Sequence, residues 1–335
     1  MKKINGFMHG INIGGWLSQS PLNREHLDGF ITEKDLMRIA EMRFDHIRLP
    51  IDYELICSED GFKYIDTAVS LCGRYGLNIV LDLHKTAGYA FYEQNGNSFF
   101  ESKELQDKFC DIWRELSERY GRYGTAAFDL LNEITDPAVS EQWNSIAAQA
   151  VSVIRKNAPH TPILIRGVCY NSINAVKGIL YPPDDSIVYS FHFYEPYIFT
   201  HQGADWEKNM TDGFRIGYPL TAGEYKNISK EKLKGEFSGI FRFAEDNTPV
   251  KEIISKLFAE AASTAEERNV PLYCGEYGVI DKADAISALS WHRDIRDIFD
   301  RFGIGRALWC YKGMSFGLID RHYDEVRGQI TEIIN

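Results

Sequence analysis

Ala126-Ala127-Phe128-Asp129-Leu130-Leu131-Asn132-Glu133 is the stretch whose reading decides the fold. The run is short and mostly apolar, with Gly124 before it and Pro137 after it. Apolar runs of this length between turn residues suit a strand covered on both faces. It then ends in an amide and a carboxylate, Asn132 and Glu133, at the end of the strand where α/β folds place their binding crevice. A second run behaves alike, with Pro271-Leu272-Tyr273-Cys274-Gly275 closing on Glu276. Either glutamate alone could simply cap the next helix, a common use of acidic residues after a strand. Two carboxylates at two strand mouths are also what glycosidic bond hydrolysis requires.

Working outward, strand-like runs recur at 7–13, 44–50, 77–84, 162–167, 187–194 and 304–311. Helical patterns stand between them, at 33–42, 65–75, 103–120, 141–157, from about 251, and at 324–334. Thr32 is a good N-cap for the first of these. Eight strands alternating with helices predict an α/β chain folded as a (β/α)8 TIM barrel. A doubly wound open sheet is the rival, but Asn12-Ile13-Gly14-Gly15-Trp16 lacks its Gly-x-Gly-x-x-Gly spacing. The stretch after Tyr194 is too long for a barrel loop and too aromatic for a disordered linker. Residues 195–250 are therefore expected to form a small subdomain inserted after strand six, on the C-terminal face, with helical spacing near 230–237. It should form one wall of the cleft. The whole of 1–335 is expected to be a single catalytic domain.

The totals narrow the function. The chain has 335 residues and a formal net charge of −11, with 48 acidic residues against 37 Lys and Arg. With no clustered basic run, that field excludes nucleic acid as a partner and permits a neutral one such as a glucan. The 6 cysteines show no Cys-x-x-Cys spacing, so reduced thiols are expected. No stretch approaches the ~20 apolar residues of a membrane span. The basic start, Met1-Lys2-Lys3, lacks a following apolar region, so a cytoplasmic location is expected, or a secreted one had a leader been trimmed. A monomer is expected.

Polar residues collect at the strand ends: Arg48, His84, Asn132, Glu133, His192, Tyr194, Glu276 and Trp309. Any one has an ordinary explanation: Arg48 as an ion-pair partner, His84 as a satisfied core imidazole, Trp309 as core. As a set they occupy six of the eight strands, and polar barrel strand ends are usually catalytic. A cation beside a carboxylate keeps that group ionised and fit to attack. Asp82-x-His84 faintly suggests a metal, but no His-x-His, His-x-x-x-His or Cys cluster accompanies it, so neither metal nor cofactor is expected. No Gly-x-Ser-x-Gly elbow is present for a serine nucleophile.

On these residues, together with 12–16, 31–35, 44–50, 191–194, 199–202 and 273–278, the chain resembles glycoside hydrolase family 5 over essentially its whole length. That family comprises retaining barrel enzymes with glutamates on strands four and seven. The resemblance implies Glu133 as acid/base and Glu276 as nucleophile. It also implies that Asn132 holds the sugar 2-hydroxyl, that Arg48 and Tyr194 contact Glu276, and that His192 lies near Glu133. Trp309 would floor the cleavage subsite and His84 would bind the same sugar. Two positions depart from the family's pattern: Ile134 where Pro commonly follows Asn-Glu, and Tyr277 where Phe is frequent. The implied activity is a retaining endo-β-glucanase for β-1,4 or mixed β-1,3/β-1,4 glucans. An exo-acting β-glucosidase or a β-mannanase of the same fold is the nearer alternative. A non-catalytic carbohydrate-binding barrel is the alternative of another class, although it would not need both glutamates.

Overall fold

A computed structural model describes residues 1–93, 97–210 and 213–334. Its strands are β1 (His9–Asn12), β2 (His46–Asp52), β3 (Asn78–Lys85), β4 (Ala126–Asp129), β5 (Ile163–Arg166), β6 (Ile187–Phe193), β7 (Leu272–Tyr277) and β8 (Gly305–Leu308). All pair in parallel with their sequence neighbours, and β8 pairs back onto β1, closing an eight-stranded barrel. This is the TIM barrel expected. One large core lies between strands and helices, and a smaller one fills the barrel's N-terminal half. There Val80, Ala127, Leu164, Val188, Tyr273 and Ala307 meet Ile4 and Phe7 from the chain's first residues.

Sequence and structure differ at three connections. Between β5 and β6 there is no α-helix, only the 3-10 helix Ile173–Gly178. Pro182 and Pro183 bar any helix from continuing toward β6. Arg268, just past the helix Val250–Glu267, donates to the carbonyls of Lys177 and Ile179 and satisfies groups a longer helix would have paired. Within 195–250 the helix runs Ala222–Lys232, not 230–237. Thr221 and Glu224 form a capping box that starts it early, and Lys234 and Gly235 take positive φ just beyond its end. The helix Ala285–Phe302, between β7 and β8, had not been singled out. No helix among the described residues is long and apolar enough to cross a membrane.

Segment 195–250 is rooted beside the strand-end residues. His201 lies edge-on to Tyr194 at 5.0 Å and stacks on Tyr197 at 4.1 Å. Tyr218 donates to Asp294 on the helix Ala285–Phe302. Phe199, Tyr225 and Phe241 are buried, whereas Trp206 and Phe243 are exposed.

Candidate active site

Above the apolar layer the barrel interior turns ionic. Arg48 is fully buried, and its guanidinium has five N–H donors to satisfy. Nε donates to Asp129 Oδ2 at 3.0 Å. Nη1 donates to Asn12 Oδ1 and Glu276 Oε1, each at 2.9 Å. Nη2 reaches Asn132 Oδ1 and Asp82 Oδ2, each at 3.0 Å. Four hydrogen bonds and the ion pair with Asp82 surround the guanidinium, which is the condition for tolerating a buried charge. Asn12 is held in turn by its amide donating to the carbonyl of Gly275 at 2.9 Å. Arg166, from β5, takes the other oxygen of Asp129 and donates to Asn132 Oδ1 at 3.2 Å.

The two glutamates hang over this layer. Strict alternation after Tyr273 and Gly275 would turn Glu276 out of the barrel. An irregularity in the β7–β8 pairing between Cys274 and Tyr277 re-aims it inward. Its second oxygen, Oε2, accepts from Tyr194 Oη at 2.9 Å. Glu133 Oε1 lies 2.8 Å from His192 Nδ1. Gly275 makes room for that imidazole: a Cβ there would stand 3.0 Å from His192 Nε2. A carboxylate oxygen from each glutamate and a ring nitrogen of His192 all lie within 4.8 Å of one another. These three could also grip a divalent cation.

The surroundings separate the two carboxyl groups. Burial first, and the neighbouring Glu276 carboxylate second, push Glu133 well above the usual carboxylate range. Arg166 and Arg48 oppose this and do not reverse it. Burial, helped by Arg166 and Arg48, lowers His192 well below its ordinary value, so its ring is neutral. Burial and the Glu276 and Glu133 charges raise Tyr194 far up, which keeps its phenol a donor. Burial alone would raise Asp82, but Arg48 and His84 hold it below its ordinary value. Its Oδ2 therefore accepts from His84 Nδ1 at 2.7 Å, leaving His84 Nε2 without a protein partner among the described residues. The rings of His84 and Trp309 are parallel within 6°, with centroids 5.9 Å apart.

All eight strand-end residues thus gather at one end of the barrel, around one pair of carboxylates. Residues 19–315 match the family model described as Cellulase (glycosyl hydrolase family 5). The chain belongs to glycoside hydrolase family 5. It is 40% identical to cellodextrinase A of Ruminococcus flavefaciens over 314 residues, 91% of this chain and 86% of that one. To endoglucanase C of Acetivibrio thermocellus it is 39% identical, covering 98% of both chains. Among solved structures, endoglucanase Cel5A of Thermotoga maritima shares the fold with a TM-score of 0.78 at 22% identity, covering 98% of this chain and 97% of that one.

Sequence reading missed the parts of this family 5 site that lie deeper in the strands. Asn12, Asp129 and Arg166 sat inside runs read simply as strand, and Asp82 was weighed only as a metal ligand. Tyr89 was missed as well; its hydroxyl donates to the Glu133 carbonyl at 2.7 Å and accepts from Thr135 N at 2.9 Å. The available signal was period two: Asp82 and His84 share a face of β3, as Arg166 does with Leu164.

Proposed function

We propose that this glycoside hydrolase is a retaining endo-β-glucanase for β-1,4 or mixed β-1,3/β-1,4 glucans, with Glu276 as nucleophile and Glu133 as acid/base. The observation that carries this is the closeness of the two glutamates, one carboxylate oxygen of each lying within 4.8 Å of the other. Retaining enzymes keep their carboxyl groups ~5–5.5 Å apart, whereas inverting ones need roughly 6.5–9.5 Å to admit a water. Glu276, bonded to Arg48 and Tyr194, attacks the anomeric carbon. Glu133, its carboxyl raised well above the usual range, donates its proton to the leaving oxygen, then takes a proton from water in the second step. Asn132 Nδ2 and His84 Nε2, both buried and without a partner among the described residues, are free to meet the sugar's hydroxyls. The names of the two relatives support a glucan substrate.

The test follows products from cellopentaose, lichenan, laminarin and glucomannan, with NMR of the first product released and a chelator in a parallel arm. Internal cleavage, the β-anomer first and indifference to chelation are expected. Release of the α-anomer first would overturn the nucleophile assignment. Stepwise loss of glucose would move the reading to an exo-glucosidase, preference for glucomannan to a mannanase, and loss of activity on chelation to a metal-dependent hydrolase.

A further inference from the structure

Arg166 is as buried as Arg48, yet it touches neither glutamate. Its contacts fall on Asp129 and, at 3.9 Å, on Asp82, both of which it shares with Arg48, and on Asn132 Oδ1. A side-chain amide can turn either end toward a ligand. Here two guanidinium groups converge on one end, at 3.0 Å from Arg48 and 3.2 Å from Arg166. Both offer only N–H donors, so the end facing them must be the oxygen. The NH2 end is thereby aimed away from the arginines, buried and without a partner among the described residues. Arg48 alone would favour the same orientation, but its guanidinium is spread over Asn12, Asp82, Asp129 and Glu276 as well. Arg166 is the second, independent clamp.

We propose that Arg166 is a positioning residue for bond cleavage: it locks the Asn132 amide with its NH2 facing the 2-hydroxyl of the sugar being cleaved. This rests on the reading, given above, that the sugar lies against Asn132. Hydrogen bonds to that hydroxyl strengthen toward the transition state, so a loosened amide costs rate more than binding. A merely structural Arg166 would affect all substrates equally. A positioning Arg166 affects a substrate only if the 2-hydroxyl is present.

The experiment compares kcat/KM for an aryl β-cellobioside with that for its analogue lacking the 2-hydroxyl on the ring cleaved. It uses the full chain in wild-type, Asn132→Ala, Arg166→Lys and Asn132→Ala/Arg166→Lys forms. Arg166→Lys is chosen because it keeps a positive charge opposite Asp129 while losing the planar fork that serves two acceptors at once. Arg166→Gln, neutral and still a donor, is carried beside it in case the lysine form does not fold. The expected result is a loss of about 10- to 100-fold on the hydroxylated substrate, typical of small misplacements. Little change is expected on the deoxy analogue. The ratio between substrates should collapse toward that of Asn132→Ala, and the double variant should lose no further discrimination. A wild-type ratio in a folded Arg166 variant, with a collapsed ratio in Asn132→Ala, would overturn the proposal and leave Arg166 a charge partner only. A wild-type ratio in Asn132→Ala would overturn the reading beneath it, and the proposal with it.

Discussion

The lower and upper halves of the barrel interior are built from the same strands two residues apart. Below stand Gly10, His46, Val80, Ala127, Leu164, Val188 and Ala307; above stand Asn12, Arg48, Asp82, Asp129, Arg166, Ser190 and Trp309. Residues i and i+2 share a face, so each strand changes character over ~7 Å. The lower half is apolar apart from His46, which bonds Tyr273 Oη at 2.7 Å, and is closed from below by Ile4 and Phe7. The upper half is a network of charges whose desolvation is offset only because nearly every one is paired. Stability and chemistry are thus separated along the strand axis, with no domain boundary between them. Substitutions above should cost turnover in a protein that still folds, and substitutions below should cost stability while leaving turnover alone.

The largest effect belongs at the top. Glu276→Ala should lower turnover by at least about 10⁴-fold, since the covalent step loses its nucleophile. Added azide should enter the vacated space and yield an α-glycosyl azide. Glu133→Ala should keep activity on substrates with an activated leaving group, which need little proton donation, and give the β-azide. If the two variants exchange products, the role assignments are reversed.

Next comes the bottom. Leu164→Ala, two residues below Arg166, leaves a cavity in the apolar layer and should cost about 2–5 kcal/mol by denaturant unfolding. At temperatures where it stays folded, its kcat/KM should equal that of the wild type. A fall in kcat/KM comparable to that of an Arg166 variant would show that the two layers are mechanically one, and the division would fail.

The same division explains what the sequence made legible. Strands of a parallel barrel are buried on both sides and show as apolar runs, so their number and order emerged without the structure. Strand ends stood out because Asn132, Glu133 and Glu276 break such runs. Asp129 and Arg166 lie inside the runs, and alternation alone does not say which face is inward until the barrel closes. Inward and outward residues look alike when one faces a helix and the other the barrel axis. The turn of Glu276 into the site depends on an irregularity in strand pairing, which no local pattern announces. No helical pattern was read between β5 and β6, where the structure has only a 3-10 helix, whereas the helix Ala285–Phe302 between β7 and β8 was passed over.

The smallest effect tests whether the upper layer costs the fold anything. Glu133 has a folded-state pKa raised above its unfolded value of about 4.3, by burial and by the Glu276 charge. Below that unfolded value both states are protonated, and the group is neutral toward stability. As pH rises above it, the unfolded chain releases a proton that the folded chain retains. The unfolded state then binds fewer protons, and stability falls until the folded-state pKa is passed. Glu133→Gln keeps the shape and lacks this loss. Its melting temperature should therefore exceed the wild type's at pH 7 to 8, by roughly 1–2 °C per kcal/mol in a chain of this length, and the difference should shrink toward zero near pH 4. His192, lowered well below its ordinary value, makes folding weaker as pH drops below about 6.5, when the unfolded imidazole takes up a proton. That slope is common to both proteins and cancels in the difference. Melting curves of the two proteins at matched pH decide the matter. A difference that stays constant with pH, or grows toward acid, would mean that Glu133 is ionised in the folded protein and cannot be the group that gives up its proton first.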